Sequence, residues 1–525
     1  MLDWHAERAA QTVFHLDRPF DIAPEAGIVV DGPAAARIVH DAASSWYAAG
    51  VRPGDRVAIC KDNHYDILLL AAAAARIGAI PALISASARP EVLRHLLNKV
   101  EPTVAMVSAK VLSALQGSAD RCDAAGRFVV TGDGEVSDAD NVLRLDELRG
   151  GAPAPVRPRG EDEPAIICHT SGTTGLPKLV VHSTRTLYEA NRLDSMPAPI
   201  VSSRRGDIFG SAISFVHARA TGTFTAQLSH APAKLVIISN HDLENVTRVL
   251  SEHTLTILEA CPNIFLHWQP LTRTDPALFE RIRLYFNTFD LIHPATVRAF
   301  LDASRRRFPL WLQGWGQSET GPLTAGIYPR IRVRRSASAA AVTSDIGWAV
   351  PGFSRIRVVD ATLGKHRWLG KPGLLMSSSR GCCVDYLGET DRYDEKVDGK
   401  WWNTGDVGYR DWLGRIRLLD REVDIIPSMS GIDVESTLLD RIENATEVVV
   451  LGAPGRLPVP IVCLASGSLD DAQWAKAVEG LPPLAEPLVL PWQDIPRTST
   501  WKVRRLELRE QVLGTSRTFG TGRWT

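Results

Sequence analysis

The chain has 525 residues, of which 59 are Lys or Arg and 60 are Asp or Glu, giving a formal charge of -1 at pH 7. That balance excludes a generic nucleic-acid binder or a basic membrane-surface binder, and the length predicts about three or four folding units. Seven cysteines (Cys60, Cys122, Cys168, Cys261, Cys382, Cys383 and Cys463) are scattered, odd in number and free of zinc-ligand spacing, which fits a reducing compartment.

The first residues, Met1-Leu2-Asp3-Trp4-His5-Ala6-Glu7, lack the basic-then-apolar order of a secretory signal. The greasiest run, Ile67 to Ala75, stops at Arg76 and is too short for a bilayer. A soluble cytoplasmic protein is expected. Gly151-Ala152-Pro153-Ala154-Pro155-Val156-Arg157-Pro158 reads as a stiff connector after an N-terminal lobe. Apolar runs such as Ala165 to Cys168 and Leu235 to Ile238 alternate with helical stretches and show no internal repeat, so the predicted class is layered α/β.

One residue after Ala165 to Cys168 comes Thr170-Ser171-Gly172-Thr173-Thr174-Gly175-Leu176-Pro177-Lys178. Glycines allow positive φ and let backbone N–H groups converge on an anion, hydroxyls add donors, and Lys178 brings a point charge. The segment therefore reads as a phosphate-holding loop that leaves a buried strand. It is not the P-loop of kinases and GTPases: Gly172 and Gly175 stand three apart, and Leu179 after Lys178 has no hydroxyl for magnesium.

Further along stand Ser214-Phe215-Val216-His217-Ala218-Arg219, Asn287-Thr288-Phe289-Asp290-Leu291 and Gly314-Trp315-Gly316-Gln317-Ser318-Glu319-Thr320-Gly321. Arg330-Ile331-Arg332-Val333-Arg334-Arg335 reads as a solvated strand or loop face. Then follow Trp402-Asn403-Thr404-Gly405-Asp406, Leu418-Leu419-Asp420-Arg421-Glu422-Val423-Asp424, the strand-like Val448 to Leu451, and Pro496-Arg497-Thr498-Ser499-Thr500-Trp501-Lys502-Val503-Arg504-Arg505. Taken singly, Glu319, Asp406 and Lys502 read as a solvated carboxylate, a turn former and a surface cation.

Apart from Arg330 to Arg335, these segments taken together and in this order resemble the adenylate-forming superfamily of acyl-CoA synthetases, aryl acid ligases, nonribosomal adenylation domains and firefly luciferase, with Asn287-Thr288-Phe289-Asp290-Leu291 departing from the Gly-Gly-Ala-Pro-like turn that many relatives have beside adenine. The resemblance begins at Gly50-Val51-Arg52-Pro53-Gly54-Asp55 and covers nearly the whole chain. It implies a large N-terminal α/β domain, residues 1–419, with sub-lobes of about 1–150 and 160–419. A small mobile α+β lid, residues 420–525, would carry the catalytic lysine. ATP would be held by Thr170, Ser171, Gly172, Thr173, Thr174, Gly175 and Lys178 at its β- and γ-phosphates. Trp315, Gly316, Gln317 and Ser318 would lie beside adenine and phosphate, and Asp406 and Arg421 at the ribose. Glu319 would hold Mg2+, and Lys502 would sit at the α-phosphate and the attacking oxyanion.

His217, the counterpart of the acid-pocket histidine, reads either as a pocket donor or as a packed histidine satisfied by backbone; Phe215 and Gly314 would join it in the substrate pocket. Asp290 reads either as an amine-recognising carboxylate or as a residue opening the helix at Pro294. The implied reaction is attack of a small-molecule acid on the α-phosphorus, giving an acyl-adenylate and pyrophosphate. Transfer to a thiol such as CoA, to a carrier protein or to an amine would follow. Val423 at the hinge, Met429 at the pantetheine tunnel and Trp501 before the catalytic lysine depart from the pattern and weigh against CoA. Two alternatives stand beside this reading: activation of nitrite toward an aryl amine, as in a diazotase, and a nucleotide-binding homologue without catalysis. Retention of Lys178, Glu319, Asp406, Arg421 and Lys502 argues against the last.

Overall fold

A computed structural model describes residues 2–8, 11–116, 125–134, 140–170, 176–198, 200–335, 344–360, 364–498 and 500–520. Strands that read as unbroken apolar runs lie inside parallel sheets covered on both faces by helices. Val104–Ser108, with all five residues buried, is the plainest case. It sits in an eight-stranded sheet ordered Asp385–Tyr386, Leu179–Ser183, Pro164–His169, Ile80–Leu83, Arg56–Cys60, Val104–Ser108, Arg127–Thr131, Val142–Arg144. The helix Pro90–Val100 shows how such a sheet is covered: Pro90 starts it, and Val92, Leu93, Leu96, Leu97 and Val100 form its buried stripe.

A nine-stranded sheet runs Trp348–Ala349, Gly321–Pro329, Leu310–Gln317, Leu284–Asn287, Ile257–Ala260, Ile208–Ala212, Lys234–Ile237, Val13–Leu16, Val29–Val30. The central pairings, from Leu310–Gln317 through Val13–Leu16, are all parallel, and the flanking ones are antiparallel, so several strands end on one edge of the sheet. Open parallel sheets place ligands at that carboxyl edge. A five-stranded antiparallel sheet contains Trp401–Arg410 and Ile416–Arg421, and a three-stranded sheet in the smaller C-terminal domain contains Ala445–Leu451.

Two expectations need correction. The Pro-rich connector does not separate one lobe from another: Val13–Leu16 and Val29–Val30 join the nine-stranded sheet, whereas Pro164–His169, beyond the connector, pairs in parallel with Ile80–Leu83. Arg330–Arg335 is a helix, not a strand or loop face. Arg330 donates from Nε to the Leu301 carbonyl, and Arg332 pairs with the buried Asp345, so neither is simply solvated.

The smaller domain docks on the larger through an aromatic ladder. Trp492 stacks on His267 and on Trp501, at centroid distances of 5.1 Å and 5.4 Å, and Trp501 meets His241 at 5.8 Å. The Trp501 carbonyl accepts hydrogen bonds from Asn263 and Arg497, and Arg497 also pairs with Glu447 and lies over Trp492. Trp501 has φ 64°, a left-handed conformation that a side chain adopts only at a penalty of about 1–2 kcal/mol. Its two ring contacts, each worth roughly 0.5–1.5 kcal/mol beyond area burial, offset that strain. Trp501→Gly is expected to relax the backbone yet loosen the docking, and faster amide exchange across residues 496–505 reports it; unchanged exchange would show that the ring does not anchor the segment.

Candidate active site

The strand Pro164–His169 and the antiparallel strand Leu179–Ser183 deliver the phosphate-loop ends to one place. Thr170 N–H donates to the Lys178 carbonyl at 2.9 Å, and Lys178 N–H donates to Thr170 Oγ1 at 3.0 Å, so the loop is pinned at its neck. Ser171, Gly172, Thr173, Thr174 and Gly175 lie outside the described residues.

The Lys178 side chain is buried, and desolvation brings its ammonium down to about 7, aided by Lys396 and opposed by Glu319. Tyr386 Oη donates to Glu319 Oε1 at 2.6 Å, and Lys178 Nζ lies 5.4 Å from the centre of the Tyr386 ring. Burial alone would raise the Glu319 carboxyl, but Lys396, Lys178 and the Tyr386 hydroxyl outweigh it and hold the group below its ordinary value. An ionised carboxylate beside a phosphate-binding loop is a hard oxygen ligand of the kind magnesium takes in ones or twos, with nucleotide oxygens and water completing the shell. Glu319, held ionised with one oxygen accepting from Tyr386, fits a single protein ligand of such an ion.

Beside the adjoining cleft, Gln317 Nε2 donates to the Thr404 carbonyl at 2.6 Å and to Asp406 Oδ2 at 3.3 Å, while its Oε1 accepts from Trp402 Nε1 at 3.1 Å. Asp406 and Arg421 are direct cross-strand partners, with Arg421 Nε 3.5 Å from Asp406 Oδ1. Gly316 is required sterically, since a Cβ there would stand 2.2 Å from the Gly321 carbonyl oxygen. Trp315, Gly316, Gln317, Arg421 and Lys502 line both this cleft and the cavity that holds Lys178, Ser318 and Glu319. Desolvation lowers the Lys502 ammonium, while Asp290 opposes that shift.

His217 caps the helix Ala218–His230: its Nδ1 accepts the Arg219 backbone N–H at 3.1 Å. The neutral ring then carries its proton on Nε2, which donates to Ser318 Oγ at 3.3 Å. Desolvation, with Lys502 next, brings the imidazolium form down to about 3, so the ring is a neutral donor at physiological pH. Phe289, at 4.7 Å, covers its face, and Gly314 lies on the same cavity wall.

Two sequence-derived pocket residues fall elsewhere. Phe215 is buried edge-on against Tyr65 in the core and does not line the cavity. Asp290 is exposed and lines the adjoining cleft with Lys502, away from the pocket wall, and His293 takes the N-cap position of the following helix. Sequence reasoning missed Lys396 and Arg392 at the phosphate end and Asn191, Asp194, Arg219 and Thr221 at the opposite end. Asp194 and Arg219 pair at 2.5 Å, and Arg219 also reaches the fully buried Glu259 at 3.0 Å.

A cation-rich cavity lies beside the paired Asp406 and Arg421, with Lys502 of the smaller domain lining it. Residues 34–387 match the family described as AMP-binding enzyme, and the chain belongs to that family, within the adenylate-forming superfamily. It is an adenylate-forming, ATP-using enzyme. It is 35% identical to "3-amino-2-hydroxy-4-methoxybenzoate diazotase" of Streptomyces cremeus, over 96% of this chain and 93% of that one. It is 25% identical to "3-aminoavenalumate diazotase" of a Streptomyces species, over 90% and 88% of the two chains. The fold resembles that of the anthranilate CoA ligase AuaEII in complex with anthranoyl-AMP, with a TM-score of 0.82, 18% identity, and 97% and 96% of the chains covered. Among the described residues no helix is long and apolar enough to cross a membrane.

Because the Lys178 ammonium sits at about 7, the free protein loses that charge as pH rises through 7, whereas a bound polyphosphate restores it. ATP binding at pH 8 is expected to take up roughly one proton and to weaken as pH rises further. Calorimetry in buffers of different ionisation enthalpy measures the uptake. Lys178→Arg, whose guanidinium stays charged, should abolish it, and an uptake unchanged in that variant would assign the proton to another group.

Proposed function

We propose that the chain is an ATP-dependent diazotase, which activates nitrite as a nitrosyl-adenylate and delivers it to an aryl amine. The observation that carries this reading is the 35% identity to a diazotase along 96% of the chain. The site supports it chemically. Phe289 and His217 crowd the place where a small oxyanion would sit, and His217 Nε2–H supplies a neutral donor to its oxygen. Lys502 would neutralise charge on the α-phosphate and the attacking oxyanion, and Lys178 with the loop from Thr170 would hold the β- and γ-phosphates. Asp406 and Arg421 would hold the ribose beside Trp315. Glu319 would hold Mg2+, which when bound neutralises charge on the phosphate oxygens. The lid is taken to begin at Asp420, as the motif order suggests.

Carboxylate activation with transfer to CoA, a carrier protein or an amine is the competing reading, and the sequence alone favours it. Transfer to CoA needs the lid to swing away from the large domain after adenylation. Trp501, wedged between Trp492 and His241, opposes that movement, so the thiol branch fits less well.

The test is pyrophosphate release from ATP and Mg2+ with nitrite and a panel of aminobenzoates and aminophenols, with diazonium product trapped by azo coupling. Release that depends on nitrite, with an azo adduct only when the amine is present, is the expected result. Lys502→Ala should lower it by about 10²–10³-fold. Release that follows carboxylic acids and yields thioester with CoA, without response to nitrite, would replace this reading by the ligase one.

A further inference from the structure

We propose that Asp194 is the residue that receives the acceptor: its carboxylate accepts the aryl amine N–H and takes the proton as the N–N bond forms. The inference rests on the diazotase reading and names the group which that reading leaves unassigned.

Attack of a neutral amine on a nitrosyl-adenylate releases a proton that some group must hold. Among the described residues lining the cavity, the carboxylates are Asp194 and Glu319, and the histidines are His182 and His217. Glu319 lies at the phosphate end, bound by Tyr386 and flanked by Lys178 and Lys396. His217 has its Nδ1 occupied by the Arg219 N–H and already carries a proton on Nε2, so it donates and cannot accept there. His182 Nε2 donates to the Ser318 carbonyl at 2.7 Å, and its Nδ1 faces Thr186 Oγ1 at 3.2 Å. Asp194 remains.

Its surroundings fit the role. Asp194 Oδ2 is held by Arg219 Nη1 at 2.5 Å, and Arg219 is itself fixed by Glu259 and by stacking over Phe286. Gly222 leaves this oxygen room, since a Cβ there would come within 2.8 Å of it. A carboxylate suffices as acceptor because an amine nitrogen that has just bonded to an electron-poor nitrogen is strongly acidic.

The step balances. The amine lone pair forms the N–N bond, the bond from nitrosyl nitrogen to the phosphate oxygen breaks with its electrons leaving on AMP, and one amine proton passes to Asp194. The second amine proton shifts to the nitroso oxygen. When that hydroxyl leaves, the proton on Asp194 makes it water and the aryldiazonium ion results.

The experiment compares the full-length enzyme with Asp194→Asn and Asp194→Glu, given ATP, Mg2+ and nitrite with either an aminobenzoate or azide as acceptor. Azide has no proton to lose. Capture by the amine, read as azo adduct, is expected to fall about 100-fold in Asp194→Asn relative to capture by azide, read as nitrous oxide, with partial recovery in Asp194→Glu. Equal loss with both acceptors would reveal a structural role, and no loss with either would remove Asp194 from the reaction; both outcomes overturn the proposal. A wild-type enzyme that releases no pyrophosphate with nitrite would instead sink the diazotase reading, and this proposal with it.

Discussion

The constraint on which the site depends is an excess of positive charge, two of whose ammonium groups, Lys178 and Lys396, are buried. Lys178, Arg392, Lys396, Arg421 and Lys502 converge on one cavity whose phosphate end offers the Glu319 carboxylate in return. Ammonium groups out of water repel one another more strongly than at a surface, and the depressed Lys178, Lys396 and Lys502 register that repulsion together with their desolvation. A polyphosphate chain is the ligand that relieves it. The rest of the architecture brings these cations together from far-apart segments. Lys178 comes from a strand edge of the eight-stranded sheet, Arg392 and Lys396 from the helix Thr390–Asp394 and the turn after it, Arg421 from the end of Ile416–Arg421, and Lys502 from the smaller domain.

Carboxyl ends of parallel strands do the rest of the positioning. Ile208–Ala212 leads to His217, Leu284–Asn287 to Thr288 and Phe289, and Leu310–Gln317 to Ser318 and Glu319. These strands are neighbours or near neighbours in one sheet, so residues separated by about a hundred positions meet across a few strand spacings of roughly 4.8 Å. The hydrogen bond from His217 to Ser318 is the direct product of that convergence.

Residues whose chemistry depends on local sequence are legible in the chain itself. Ala165 to Cys168 falls within Pro164–His169, Leu235 to Ile238 overlaps Lys234–Ile237 and overruns it by Ile238, and Val448 to Leu451 falls within Ala445–Leu451, because buried strands announce themselves by unbroken apolar runs. The motif residues from Lys178 to Lys502 do meet around two adjoining clefts. Lys396 and Asp194 are invisible for the opposite reason. Each lies in a polar stretch, Tyr393-Asp394-Glu395-Lys396 and Asn191-Arg192-Leu193-Asp194, that reads as solvated surface, and only tertiary packing turns Lys396 from the first, and Asn191 with Asp194 from the second, toward the cavity. Arg330–Arg335 misleads by its charge: it forms a helix because Val333 can bury while Arg330 and Arg332 find carbonyl and carboxylate partners. The sheet exchange across the Pro-rich connector is a long-range pairing that composition does not encode.

The departures at the junction between the domains share one physical direction. A glycine before the catalytic lysine would let that segment move freely between two placements, since left-handed backbone carries no penalty for glycine. Trp501 in the same conformation carries a backbone penalty, and its ring contact with His241 and the hydrogen bond from Asn263 to its carbonyl hold it where it stands. Strain and stacking are thus coupled so that leaving the docked state forfeits the contacts while retaining some of the penalty. Val423, buried at the hinge, offers no polar group to exchange partners during a rotation, and the chain near Gly520 packs on the same turn, where a Cβ on Gly520 would meet the Glu422 carbonyl at 2.0 Å. A reaction whose second substrate is small enough to enter the cavity with the lid closed has no use for that rotation, whereas one that threads a long thiol cofactor to the adenylate depends on it. On the proposed reading, the junction as it stands suits a compact acceptor, and Asp194 and Arg219 give the far end of the cavity its polar wall.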